Sequence, residues 1–159
     1  MSLKSSFLFI LITGLLISCD KKRVFDEYHS VGSAWHKDST VTFQLPKLDS
    51  TKKYDLFVNL RSNDNYPFNN LFLIVALELP NGFTKVDTLE YQMANPDGTL
   101  LGEGFSDIKE SKLFYKENVK FRGKYKVSIK QAVRETGKVP GVEELEGITD
   151  VGFRIENKE

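Results

Sequence analysis

The chain of 159 residues is poor in the side chains most used for chemistry: it has one cysteine and two histidines. One cysteine cannot form an internal disulfide, so any fold must be held by burial and hydrogen bonding. Neither sign of charge predominates, with 22 Lys and Arg against 22 Asp and Glu. A chain so balanced has no electrostatic footprint for nucleic acid. Long helical periodicity is missing as well, and there are no internal repeats or low-complexity tracts. The one long apolar run, Phe7 to Ile17, is too short for a hydrocarbon core of about 30 Å, which needs about 20 apolar residues.

That run suits an export signal instead. Lys4 supplies a positive n-region and Phe7 to Ile17 an h-region. The run ends in Leu16-Ile17-Ser18-Cys19, which resembles the bacterial lipobox. The resemblance implies cleavage after Ser18, a thioether-linked diacylglycerol on Cys19 and acylation of the new amino terminus. Several acyl chains, at ~0.8 kcal/mol per buried CH₂, anchor a protein without a transmembrane helix. Lipidation would also consume the only thiol, excluding a cysteine nucleophile and a thiolate metal ligand. Asp20-Lys21-Lys22-Arg23 follows at once, so no buried helix continues there. The basic triplet beside the anchor either rests on anionic head groups or is a solvated flank.

Residues 1–18 are therefore expected as a lipoprotein signal peptide, 19–38 as lipidated cysteine and tether, and 39–159 as one folded domain. The domain is large enough for a proper core. Its period is two, the signature of strands. Val41, Phe43 and Leu45 alternate with polar residues, as do Tyr54, Leu56, Val58 and Leu60. Leu71 to Leu79 is apolar on both faces until Glu78 and reads as a central strand covered on both sides. Leu89, Tyr91 and Met93 alternate next, then Tyr125, Val127, Ile129 and Val133, and finally Val151, Phe153 and Ile155. Pro80-Asn81-Gly82 and Asn95-Pro96-Asp97-Gly98 are turns. Leu113 to Phe121 is ambiguous, and Pro140 to Glu146 suggests one helical turn with Pro at its start. Short strands separated by turns predict an all-β antiparallel sandwich, jelly-roll-like in its simplest form.

No catalytic constellation emerges. His29 and His36 lie at no spacing diagnostic of zinc, so no metal and no cofactor are expected. Asp87 and Glu90 have an odd separation, which puts them on opposite faces of a strand. Asn63-Asp64-Asn65 offers oxygen ligands but lacks the longer ladder of a calcium loop. Ser106-Asp107 has no histidine that the sequence places nearby. The aromatics outside the clear strands, among them Trp35, Tyr66, Phe68, Phe105, Phe114 and Tyr115, either plug the ends of the sandwich or form a contact surface. Trp35, Asn65, Tyr66 and Phe68 are the candidate interface.

The chain resembles the gliding motility lipoprotein H family of the Bacteroidetes. The resemblance runs through Ser18-Cys19-Asp20, Trp35-His36-Lys37-Asp38-Ser39, Tyr54 to Arg61, Asn65 to Leu73, Asp87 to Tyr91, Leu101 to Gly104, Tyr115 to Asn118 and Leu145 to Glu156. It implies a non-enzymatic role in gliding, in envelope machinery allied to type IX secretion, with other envelope proteins as partners. It carries over no catalytic residues. A dense acidic run after the cysteine marks surface export in some lipoproteins of that group, and here only Asp20 follows. The expected location is therefore the periplasmic face of the outer membrane. The rival reading is a glycan-binding module of a polysaccharide system, resting on the sandwich and the loop aromatics.

Overall fold

The computed structural model describes residues 19–158. The expected signal peptide and its cleavage position Ser18 lie outside the described residues. Among those described there are ten strands and no helix. One sheet contains β1 (Arg23–Ser30), β4 (Tyr54–Ser62), β7 (Lys109–Val119) and β10 (Ile148–Asn157), in the order β1-β10-β4-β7. The second contains β3 (Val41–Gln44), β5 (Asn70–Glu78), β6 (Thr84–Gln92) and β8 (Lys126–Gln131), in the order β3-β8-β5-β6. The short strands β2 (Ala34–His36) and β9 (Glu144–Glu146) pair as a ribbon of their own. All pairings are antiparallel. Successive long strands change sheets except at the β5–β6 hairpin, and the first and last strands are neighbours. This is the double Greek-key order of a jelly roll, as the alternating pattern predicts.

The core follows from that alternation. Leu56, Val58 and Leu60 of β4 meet Val151, Phe153 and Ile155 of β10, and from the other sheet Leu71, Leu73, Val75, Val127 and Ile129; all are fully buried. Each large apolar side chain so buried contributes about 1.5–3 kcal/mol. On one flank the sheets are stitched by polar groups. The Tyr91 hydroxyl donates to the Phe114 carbonyl at 2.7 Å, and the Tyr115 hydroxyl to Asp87 Oδ2 at 2.9 Å.

Four expectations need correction. First, residues 20–38 are not a tether. Asp20 is ion-paired to Arg154, Asn157 N–H donates to Lys22 O at 2.8 Å, and β1 and β2 lie within this stretch. The folded unit therefore begins within a few residues of Cys19. Second, 140–146 holds strand β9 rather than a helical turn, because Leu145 is buried opposite Trp35 across the ribbon. Third, β5 is covered on one face only: Leu71, Leu73, Val75 and Leu77 are buried, while Phe72, Ile74 and Ala76 are half-exposed. Fourth, the ambiguous 113–121 is mostly β7. Its register against β4 shifts twice, and bulges of this kind spoil the two-residue period.

The strand registers give the sandwich two ends. At one lie Cys19, the β3–β4, β5–β6 and β7–β8 turns, and Asn157, joined by ring contacts of Phe121 with Tyr54 (5.8 Å) and Tyr125 (4.8 Å). At the other lie the β2–β9 ribbon and the loops 63–69, 93–108 and 132–143.

Candidate functional site

Cross-strand register assembles a site on the outward face of the first sheet. One row runs Tyr28, Gly152, Asn59, Lys112; the rows beside it run Asp26, Arg154, Phe57, Phe114 and Ser30, Asp150, Arg61, Glu110. Asp26, Tyr28, Asn59, Arg61, Glu110, Lys112 and Arg154 of these rows, with Leu101, Gly102 and Glu103 of the β6–β7 loop, line a cleft of about 710 Å³. Gly152 stands between Tyr28 and Asn59 in the first row. A Cβ there would lie 2.9 Å from Tyr28 Cδ1 and 2.9 Å from the Glu27 carbonyl, so only glycine lets the phenol ring lie down on the sheet. The Arg61 guanidinium then stacks over that ring, 4.0 Å from its centroid. This geometry is a cation–π contact.

Every cation of the cleft is matched by a carboxylate. Arg61 Nε donates to Glu110 at 2.8 Å, and Lys112 Nζ to Glu156 at 2.5 Å. Arg154 is the hub: it pairs with Asp26 at 2.8 Å, with Glu156 at 2.7 Å, and with Asp20. Burial works against the Arg154 charge, yet its bonds to Asp20, Glu156 and Asp26 hold it above the ordinary guanidinium value. Burial likewise opposes ionisation of Glu156, but Lys112 and Arg154 outweigh it and keep the carboxyl below its usual range. A general acid at neutral pH needs the opposite shift. Asn59 sits beneath these charges. It points outward but is only 5% exposed; its Nδ2 reaches Asp26 at 3.4 Å, and its Oδ1 has no hydrogen-bond partner among the described residues. Buried polar atoms are rarely left so, and an acceptor in the cleft wall suits a ligand that brings an N–H or O–H.

The residues singled out from the sequence lie elsewhere and divide. Trp35 is fully buried with Nε1 donating to Ser39 O at 2.9 Å, and Tyr66 is 5% exposed with its hydroxyl donating to Asn70 O at 2.6 Å. As interface residues both are corrected: they close the end of the core away from Cys19. Burial also raises the Tyr66 phenol well above its usual value. Asn65 is exposed, and Phe68 is half-exposed, edge-on to Tyr66 at 6.0 Å. Phe68 lines a second trough of about 790 Å³ between the loops after β4, β6 and β8. Cys19 is exposed.

His29 bonds Glu27 at 2.7 Å and packs on the Phe43 ring; His36 lies 3.8–3.9 Å from Asp38, Glu143 and Glu144. Among the described residues no group of His, Cys, Asp and Glu is arranged to hold a metal. Asn63 Oδ1 takes the Asn65 N–H at 3.0 Å, making a polar turn. Asp87 pairs with Lys116 and Glu90 with Asn70. The cleft residues were missed because each is an unremarked outward position on its own strand. Only the register of four strands brings them together.

Comparison with known proteins agrees with the sequence resemblance. Residues 23–155 match the family described as GldH lipoprotein. The gliding motility lipoprotein GldH of Flavobacterium johnsoniae is 79% identical over 159 residues, covering 100% of both chains. A gliding motility lipoprotein GldH homolog of Christiangramia forsetii is 60% identical over 157 residues, covering 98% of this chain and 96% of its own. Among solved structures, a family GH115 4-O-methyl-α-glucuronidase aligns with a TM-score of 0.47 at 13% identity, over 89% of this chain and 18% of that one. The VP2 subviral particle of infectious bursal disease virus aligns at 0.37 and 14%, over 87% and 34%. Neither structural likeness bears on function. The near-complete matches in sequence do: this chain belongs to the GldH lipoprotein family, whose curated relatives are gliding motility lipoproteins.

Proposed function

We propose that the protein is a lipid-anchored, non-catalytic accessory component of the envelope machinery for gliding and the allied type IX secretion system. The observation that carries this is similarity to a gliding motility lipoprotein along the whole chain. Cys19 is the lipidated residue and Ser18 the cleavage position. The anchor places the domain at the outer membrane, facing the periplasm, where confinement raises its effective concentration near membrane partners. The cleft supports a binding role. Its three cations, Arg61, Lys112 and Arg154, are each held by carboxylates, while Asn59 Oδ1 is available to accept from a partner. The partner is another envelope motility or secretion protein; no cofactor and no nucleic acid take part. The glycan-binding reading loses two of its carriers, Trp35 and Tyr66, to the core.

The test is deletion in the source organism, complemented with wild type, Cys19→Ala or Asn59→Ala, scored for colony spreading and secretion into the medium. Loss on deletion, with no rescue by Cys19→Ala at normal protein level, supports the anchored component. Failure of Asn59→Ala alone points to the cleft as its contact. Unaltered spreading and secretion in the deletion strain refute the reading.

A further inference from the structure

We propose that the Cys19 end of the sandwich is a membrane-docking surface, seated on anionic phospholipid head groups with the opposite end turned away. The proposal rests on Cys19 being the anchor and adds a second, independent contact with the same membrane. A neutral chain hides a strong segregation of charge. The termini at this end bring Lys21, Lys22 and Lys158; the β3–β4 loop brings Lys47, Lys52 and Lys53; the β7–β8 loop brings Lys120, Arg122 and Lys124. Against these nine cations the same segments carry Asp20, Asp49 and the terminal Glu159. Asp20 is already occupied by Arg154, and Asp49 by Thr51. Of the neighbouring strand carboxylates, Asp55 and Glu117 hold Lys158, and Glu78 holds Lys126. Lys52, Lys53, Lys120 and Arg122 are exposed and form no ion pair among the described residues.

The far end is the reverse. The loops there carry Asp97, Glu103 and Asp107 after β6, and Glu135, Glu143, Glu144 and Glu146 after β8, with Asp38 and Asp64 nearby. Lys37, Arg134 and Lys138 oppose them, with Lys109 at the start of β7, whose Nζ donates to the Gly104 carbonyl. The molecule is thus a dipole whose positive pole holds the anchor.

Distance makes the pole effective. The fold begins almost at the cysteine, since Lys22 already bonds Asn157. Three residues reach at most about 10 Å, roughly one Debye length at moderate salt. A lipid on Cys19 therefore holds the basic loops inside the field of the head groups, where a freely tethered domain would drift out of it. Phe83, 60% exposed at the tip of the β5–β6 turn on this same end, supplies an aromatic side chain for the interfacial layer.

The test uses the unacylated chain from Cys19 onward, which contains every strand, so that the anchor plays no part. It is sedimented with vesicles of phosphatidylcholine alone or mixed with phosphatidylglycerol, at low and high salt. The expected result is binding to the mixed vesicles only, reversed by salt. Each basic residue near such a surface contributes about fivefold. The quadruple variant Lys52→Glu, Lys53→Glu, Lys120→Glu, Arg122→Glu should therefore lose at least about 100-fold. The far-end variant Arg134→Glu, Lys138→Glu should bind as wild type. Three results overturn the surface: binding indifferent to lipid charge, equal loss in both variants, or retention by soluble heparin with no vesicle binding. The mass of the Cys19 peptide from cells reads acylation separately. An acylated chain whose unacylated form ignores anionic vesicles refutes the docking surface alone. A chain that cells never acylate, yet which binds those vesicles, refutes the anchor alone.

Discussion

Arg154 is the keystone of the cleft, and its replacement by Met tests that reading. The side chain is 13% exposed, and its partners Glu156 and Asp26 are 11% and 19% exposed. Removing one partner of a buried pair costs about 3–5 kcal/mol, because an uncompensated charge stays behind. Two facts move the figure to the lower bound. Glu156 keeps Lys112 at 2.5 Å, and Asp20 lies at the surface, where water screens its charge once the pair is lost. The stranded group is then Asp26, left with Asn59 at 3.4 Å. The expected loss is about 3 kcal/mol at neutral pH. The pH dependence follows from Glu156, whose pKa is lowered in the fold. Its contribution is present above the ordinary carboxylate value of about 4.3 and disappears as pH falls through the folded value. The gap between wild type and variant should therefore narrow in acid. Trp35, the sole tryptophan and fully buried, reports urea unfolding by fluorescence. The double variant Arg154→Met, Asp26→Asn should recover part of the loss. A gap below about 0.5 kcal/mol, a gap constant with pH, or strictly additive variants would each show that these pairs do not hold the cleft.

Three further outcomes are expected. Gly147→Ala should lower the melting temperature by roughly 10 °C, since Gly147 has φ +86° and its new Cβ would lie 2.2 Å from Tyr66 N; calorimetry checks it. Tyr66→Phe should cost about 1 kcal/mol for its bond to Asn70 O, and Tyr66→Ala about 3–5 kcal/mol, compared by urea midpoint. The bond to Lys116, helped by Tyr115, lowers the Asp87 pKa. Asp87 thus stabilises the fold above the ordinary carboxylate range, and this fades as pH falls through its folded value. The group is about one-third exposed, so Asp87→Asn should cost under about 1 kcal/mol at neutral pH and nothing in strong acid.

Much of the fold was legible because β4, β8 and β10 alternate with a two-residue period through Tyr54–Leu60, Val127–Gln131 and Val151–Ile155, whose inward residues are buried. Strands whose stability comes from a distant partner were not. β1 reads as polar because it is an edge strand with few inward apolar positions. β9 reads as helical because Glu144 and Glu146 flank a single buried Leu145. In β7 the two-residue period holds from Lys109 to Tyr115, and the bulges break it between Phe114 and Val119. For the interface the difficulty was different. Trp35 and Tyr66 looked unattached because no local apolar pattern surrounds them, yet the end of a sandwich needs large side chains to close it. The cleft was illegible for a third reason: Arg61, Lys112 and Arg154 lie far apart in sequence and meet only through sheet order.

The place of β1 in that order also fixes how the molecule bears load. β1 starts four residues after Cys19, runs to the far end, and is bonded along its length to β10, which runs the other way. A pull on Cys19 resisted by a partner at the far loops acts along the strands. It must shear the β1–β10 ladder, with its bonds sharing the force, rather than peel them one by one. The rate of forced unfolding, rather than equilibrium stability, then sets the limit. With the lipid proposed on Cys19, this strand order would carry tension between a membrane and a partner at the far loops.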